Sequence, residues 1–208
     1  MPDTVLELET PHGPARAHVR PPTTGAPIAS LVLGHGAGGS ITAPDLQAVT
    51  EVATAAGLTV ALIEQPYRVA GRRSTPPARQ LDAAWTAVIP QLRAGPLGAR
   101  PLIAGGRSSG ARVACRTAAE VEAVGVLCLA FPLHPPRRSP DAEQKTRLPE
   151  LDAVAVPTLV VQGVNDRFGI PPHGPGRTVV EVAGDHALKS DVGAVAAAAA
   201  AWLEDLLR

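Results

Sequence analysis

"LIAGGRSSGARVACR", residues 102–116, joins an apolar run to an amphipathic segment through two glycines, an arginine and two adjacent serines. Such a stretch reads as a buried strand, a sharp turn and a helix. Only seven serines occur in the 208 residues, and two of them stand on this one turn. Gly106-Arg107-Ser108-Ser109-Gly110 fits G-x-S-x-G in a single register, with Ser108 at its centre. In that pattern the serine is raised on a strained strand-to-helix turn, and the flanking glycines let neighbouring backbone pass without a Cβ clash. The following helix directs its N-terminal amides and positive dipole end at the same place. The plain alternative is a glycine-rich turn in which Ser109 caps the helix.

Outward from this turn the same alternation repeats. Towards the N-terminus, "IASLVLGHG" and "LTVALIEQ" read as strands, and "APDLQAVTEVATAAG" and "PPARQLDAAWTAVIPQLRAG" as the helices that follow them. Towards the C-terminus come a helix from about Ser109 to Glu120 and the strands "AVGVLCLAF", "VPTLVVQG" and "RTVVEVAG". A last helix runs from about Asp191 to Leu207, with Val192, Val195, Ala199, Trp202 and Leu206 on one face. "TVLELET" and "ARAHVR" alternate in steps of two and predict an antiparallel hairpin at the start. Apolar runs alternating with amphipathic helices predict an α/β fold, a mainly parallel sheet covered on both faces. The length fits one domain over residues 1–208. The one long irregular segment, "PLHPPRRSPDAEQKTRLPELDAV", is expected to be a loop or a short helical insertion over one end of the sheet.

Composition narrows the partners. Nineteen basic and nineteen acidic residues cancel, so charge gives no reason to expect nucleic acid or an anionic membrane. The N-terminus lacks a basic-then-apolar leader, and no apolar run reaches the roughly 20 residues of a span. Cys115 and Cys128 lie in apolar stretches without CxxC or histidine spacing, which predicts buried thiols in a cytoplasmic protein and no metal site.

Ligands of open α/β sheets bind beyond the carboxyl ends of the strands, so the residues just after each strand matter most. A serine hydroxyl needs a base. Of six histidines, His186 in "VAGDHALK" follows the final strand and precedes the last helix, where an imidazole can reach back to Ser108. His12 and His18 belong to the hairpin, His35 to the glycine loop, and His134 and His173 to proline-rich loops. The orienting carboxylate should fall between serine and histidine in chain order. Asp166 in "LVVQGVNDRFG" follows the penultimate strand; its plain alternative is an Asx-turn. Developing negative charge on a carbonyl oxygen would be met by the Ser109 amide and by Ala37 or Gly36 in "GHGAGG". That loop lacks G-K-[ST], and no acidic residue is suitably placed about 20 residues further on, so it is not read as a nucleotide loop, and no cofactor is called for.

Together "LGHGAGG", "YRVAGRR", "GGRSSGARVA", "FPLHPP", "VQGVNDRFG" and "GDHAL" resemble the α/β-hydrolase superfamily, from about residue 28 to the end. Within it the chain is similar to the branch of testis-expressed protein 30 and of the hydrolase-like part of a nonspecific-lethal chromatin complex subunit. It is more distantly similar to dienelactone hydrolases. The resemblance implies the three-layer α/β-hydrolase fold with little or no lid and a Ser108, Asp166, His186 triad. Dienelactone hydrolases carry cysteine where this chain has Ser108, so their substrate is not implied.

Arginines gather at the expected catalytic end: Arg68, Arg72 and Arg73 in one loop, Arg107 and Arg112 at the serine, Arg137 and Arg138 after "FPLHPP". Arg72, Arg73 and Arg107, with His134, are candidate contacts for a carboxylate or phosphate on a substrate; solvated loop charge explains them equally well. The function expected is hydrolysis of a small, short-chain and conceivably anionic ester or thioester, with acyl transfer to another acceptor left open. A hydrolase-fold scaffold with little catalysis is the second reading, since some members of the resembling branch serve in assemblies.

Overall fold

The computed structural model describes residues 4–136, 139 and 143–208. Eight strands, β1 (Thr4–Leu8), β2 (Ala15–Arg20), β3 (Ala29–Gly34), β4 (Leu58–Glu64), β5 (Leu102–Arg107), β6 (Ala123–Leu129), β7 (Thr158–Gly163) and β8 (Arg177–Val182), form one sheet in the order β1-β2-β4-β3-β5-β6-β7-β8. The β1–β2 hairpin and the β2–β4 pair are antiparallel, and every other pair is parallel. The six helices are α1 (Pro44–Ala55), α2 (Pro66–Val69), α3 (Ala78–Arg93), α4 (Ser109–Thr117), α5 (Leu148–Asp152) and α6 (Val192–Leu206).

Strands β3 and β7 are buried along their whole length, as parallel strands covered on both faces must be. Side chains alternate across the sheet and so divide into two cores. Leu31, Leu33, Val60, Leu62, Leu127 and Val161 meet Leu46 and Val49 of α1 and Val195, Ala199 and Leu203 of α6. On the other face Val32, Ala61, Ala104 and Val126 meet Trp85 and Ile89 of α3 and Ala111 and Ala114 of α4. Aromatic residues are only 2% of the chain, so aliphatic side chains, each contributing about 1.5–3 kcal/mol when fully buried, supply most of this core.

Local sequence sets the ends of the helices. Proline opens α1, where its missing N–H would have no partner. Asp191 caps α6, its Oδ1 accepting from the Ala194 amide at 2.9 Å. Two details differ from the sequence expectation. Leu203, absent from the expected face of α6, is fully buried, whereas Val192, Trp202 and Leu206 are only partly so. Helix α4 ends at Thr117 rather than near Glu120. Within the connection between β6 and β7, the short helix α5 packs beside α4. There Glu150 accepts from both Arg112 Nε (2.8 Å) and Nη2 (2.5 Å), while Arg116 binds Asp82 of α3 and reaches Glu150 at 3.2 Å. The strand ends are left without a lid among the described residues.

Candidate active site

Strand β5 ends at Arg107, and the chain turns at Ser108 with φ +53° and ψ −106°. For a residue with a Cβ this is a strained backbone, costing on the order of 1–3 kcal/mol, and it persists because its surroundings over-determine it. The Ser108 amide donates to the Leu129 carbonyl at 2.8 Å, extending the β5–β6 ladder into the turn. A Cβ on Gly106 would lie 2.5 Å from the Gly34 carbonyl oxygen, and one on Gly110 would collide with the same carbonyl. Only glycine lets α4 begin this close to the end of β3. The sharp turn and the two glycines are one device.

The loops after β7 and β8 bring two more groups to Ser108. His186 Nε2 lies 2.9 Å from Ser108 Oγ, and His186 Nδ1 lies 2.7 Å from Asp166 Oδ2. A carboxylate only accepts, so Nδ1 carries the proton, and the Ser108 hydroxyl donates to Nε2. Asp166 is buried and fully engaged: Oδ1 accepts from the Phe168 amide at 2.9 Å, and Oδ2 also accepts from Gln162 Nε2 at 2.7 Å. The Phe168 ring meets the imidazole edge to face, with centroids 4.5 Å apart. On the main chain of the same histidine, Arg107 Nη2 donates to the His186 carbonyl at 2.9 Å.

The glycine loop after β3 is held from both sides. Buried His35 accepts from the Gln65 amide at Nε2 (3.2 Å), so its Nδ1 is the protonated nitrogen and donates to the Gly36 carbonyl at 2.8 Å. Burial pushes the His35 pKa down and keeps that ring neutral. The Tyr67 hydroxyl, whose pKa burial pushes up, donates to the Ala37 carbonyl at 2.7 Å. Both peptide planes around Ala37 are therefore fixed. Among the described residues neither the Ala37 amide nor the Ser109 amide has a protein acceptor.

Of the residues singled out in the sequence, Ser108, Asp166 and His186 come together, with Gly36 close by: a Cβ there would be 3.6 Å from that of Ser108. Arg107 turns to protein groups, Asp45 at 2.9 Å as well as the His186 carbonyl. Arg72 and Arg73 are exposed, and His134 engages the Lys145 carbonyl at 3.1 Å. No contact among the described residues joins those three to the serine. Arg137 and Arg138 lie outside the described residues. Cys115 and Cys128 are buried free thiols 3.5 Å apart, and their mutual hydrogen bond, then burial, pushes the Cys128 pKa well up. Gln162, Phe168, Tyr67 and Asp45 were not anticipated. A lone polar residue inside the apolar strand "TLVVQG" and the single tyrosine of the chain were the available signals. Asp45 in the first turn of a helix gave none.

No group of three or more His, Cys, Asp or Glu among the described residues is arranged to hold a metal ion, and no described helix is long and apolar enough to cross a membrane.

A mainly parallel sheet with helices on both faces and a serine on the turn after its central strand is the architecture of the α/β hydrolases. Residues 27–190 match the alpha/beta hydrolase domain family, and the chain belongs to it. No curated protein matches the chain. Similar solved structures include an α/β serine hydrolase without a lid from Xanthomonas campestris, 19% identical with TM-score 0.76, the match covering 99% of this chain and 95% of that one. Dienelactone hydrolase from Anabaena variabilis is also 19% identical, with TM-score 0.75 and coverage of 99% and 98%. Est1E from Butyrivibrio proteoclasticus is 13% identical, with TM-score 0.78 and coverage of 97% and 98%. At these identities the likeness is one of fold.

Proposed function

We propose that this protein is a serine hydrolase that cleaves a small ester or thioester, with Ser108 as nucleophile, His186 as general base and acid, and Asp166 as orienting carboxylate. One observation carries the reading: a serine on a strained turn donates to an imidazole whose other nitrogen is bound to a buried carboxylate. In the first step the Ser108 oxygen attacks the carbonyl carbon as its proton passes to His186 Nε2. The negative oxygen of the tetrahedral intermediate is met by the amides of Ser109 and Ala37, donors already fixed in direction before substrate arrives. The intermediate collapses to an acyl-Ser108 ester as imidazolium protonates the leaving alcohol or thiol. Water, deprotonated by the same imidazole, then releases the acid and restores the serine. Within the family, "YRVAGRR" and "FPLHPP" support the branch of testis-expressed protein 30.

The test is covalent labelling by a fluorophosphonate, run beside hydrolysis of short-chain nitrophenyl esters. Wild-type protein is expected to label once per chain. Ser108→Ala should abolish labelling and lower ester turnover by at least about 10³-fold. Labelling that survives in S108A would remove Ser108 from the role, and an inert wild type would favour a scaffold.

A further inference from the structure

The residue that precedes the candidate nucleophile points away from it, into a contact that the chemistry above leaves unused. Arg107 stretches its guanidinium between three parts of the chain. Nε lies 2.9 Å from Oδ2 of Asp45 in the first turn of α1. The N–H is not aimed along that line, so the attraction is one of charge more than of a hydrogen bond. Nη2 donates to the main-chain carbonyl of His186 at 2.9 Å. Nη1 runs beside Gly36, where a Cβ would come within 3.0 Å of it. Asp45 is wholly buried, and its other oxygen accepts from the Leu46 amide at 3.0 Å.

A carboxylate taken wholly out of water needs a partner, and Arg107 is the cation beside it. Once anchored there, the guanidinium has a fixed position, and its remaining fork fixes the His186 carbonyl. We infer that Arg107, anchored by Asp45, is a positioning residue that holds the His186 backbone where Nε2 reaches Ser108 Oγ. This rests on the reading of His186 as the base. The role is specific to arginine, because one planar group must satisfy a carboxylate and a carbonyl in different directions; an ammonium is a single point charge. It also accounts for a side chain next to the nucleophile that is turned to protein groups.

Three variants test it by their rate of fluorophosphonate labelling, labelling endpoint, kcat, KM and melting temperature. R107M should label to the same endpoint as wild type but about tenfold or more slowly, with kcat lowered in parallel and KM little changed. R107K, which restores the cation without the fork, should recover part of the rate. Melting temperature falls in R107M because Asp45 is left unpaired; D45N/R107M removes that charge and should regain it while labelling stays slow. A role in stability alone predicts instead that rate and melting temperature recover together in the double variant, and that result, or wild-type labelling by R107M, overturns the inference. Should R107M fail to fold, the double variant carries the same comparison. An unreactive wild-type Ser108 sinks the serine hydrolase reading and this one with it, a result distinct from failure of the Arg107 variants alone.

Discussion

Gln162 follows three apolar residues in β7, fully buried, and its amide nitrogen reaches Asp166 Oδ2 at 2.7 Å. The same nitrogen lies 3.1 Å from the carbonyls of Phe131 and Gly169. It therefore braces the carboxylate bonded to His186 Nδ1 and ties down the loop carrying it. A hydrogen bond to a charged group contributes about 1.5–3 kcal/mol. Gln162→Leu keeps the approximate volume and removes the donor. It should lower kcat for a short-chain ester about tenfold or more, with the larger effect on kcat rather than KM. Gln162→Glu should be worse, since it replaces the donor with a like charge beside the Asp166 carboxylate. Equal activity of the leucine variant and wild type would show that Asp166 needs no such support. That Ser108, His186 and Asp166 would come together was legible because each follows a strand in a fixed chain order. The role of Gln162 was not, because a polar interruption of a strand does not say which neighbour it faces.

At the scale of elements, the site depends on how closely α4 starts against the end of β3. Leu33 and Gly34 of β3 lie in register with Gly105 and Gly106 of β5, and Gly110 in the first turn of α4 rests on the Gly34 carbonyl. Gly110→Ala places a methyl into that backbone oxygen, and backbone has no rotamer with which to yield. The helix must shift, taking the Ser109 amide with it. The expected loss is about 1–3 kcal/mol of stability, read from chemical denaturation, together with a fall in fluorophosphonate labelling larger than the loss of folded protein explains. Unchanged labelling would show that the reactivity of Ser108 tolerates a displaced α4. Alternation and glycine punctuation made most of these elements legible, down to the hairpin and the mainly parallel character of the sheet. The placement of the five-residue α5 was not, because its seat beside α4 is set by Glu150 with Arg112 and Arg116, contacts distant in sequence that no local pattern encodes. Leu203 was missed for a related reason: which edge of an apolar stripe is deepest depends on the α1 surface that α6 meets.

Across the whole molecule, buried titratable groups set how folding responds to pH, and their signs differ. Asp45 is raised by burial, with Arg107 pulling it back, so the folded state takes up that proton before the unfolded chain does as pH falls. Its contribution favours folding on acidification. Glu150 goes the other way: burial alone would raise it, but Arg112 and Arg116 outweigh that and hold it below its usual range. The stability it adds is present above the ordinary carboxylate pKa of about 4.3 and is lost as pH falls through the lower folded value. His35 acts earliest. Burial lowers it, helped by the charge of Arg68 and opposed by Glu64 and by the bond to the Gly36 carbonyl. Below the ordinary histidine pKa of about 6.5 the unfolded chain binds a proton that the folded state refuses, until pH reaches the lower folded value. Stability is then lost with a slope of up to about 1.4 kcal/mol per pH unit, which for a chain of this size is roughly 2–4 °C per kcal/mol. His35→Asn keeps a donor towards the Gly36 carbonyl and cannot titrate. Its melting temperature, lower overall for loss of the acceptor to Gln65, should decline less than that of wild type between pH 7 and pH 5.5. Parallel curves for the two proteins would mean that folding leaves the proton affinity of His35 unchanged, and the lowering assigned to its burial would have to be given up.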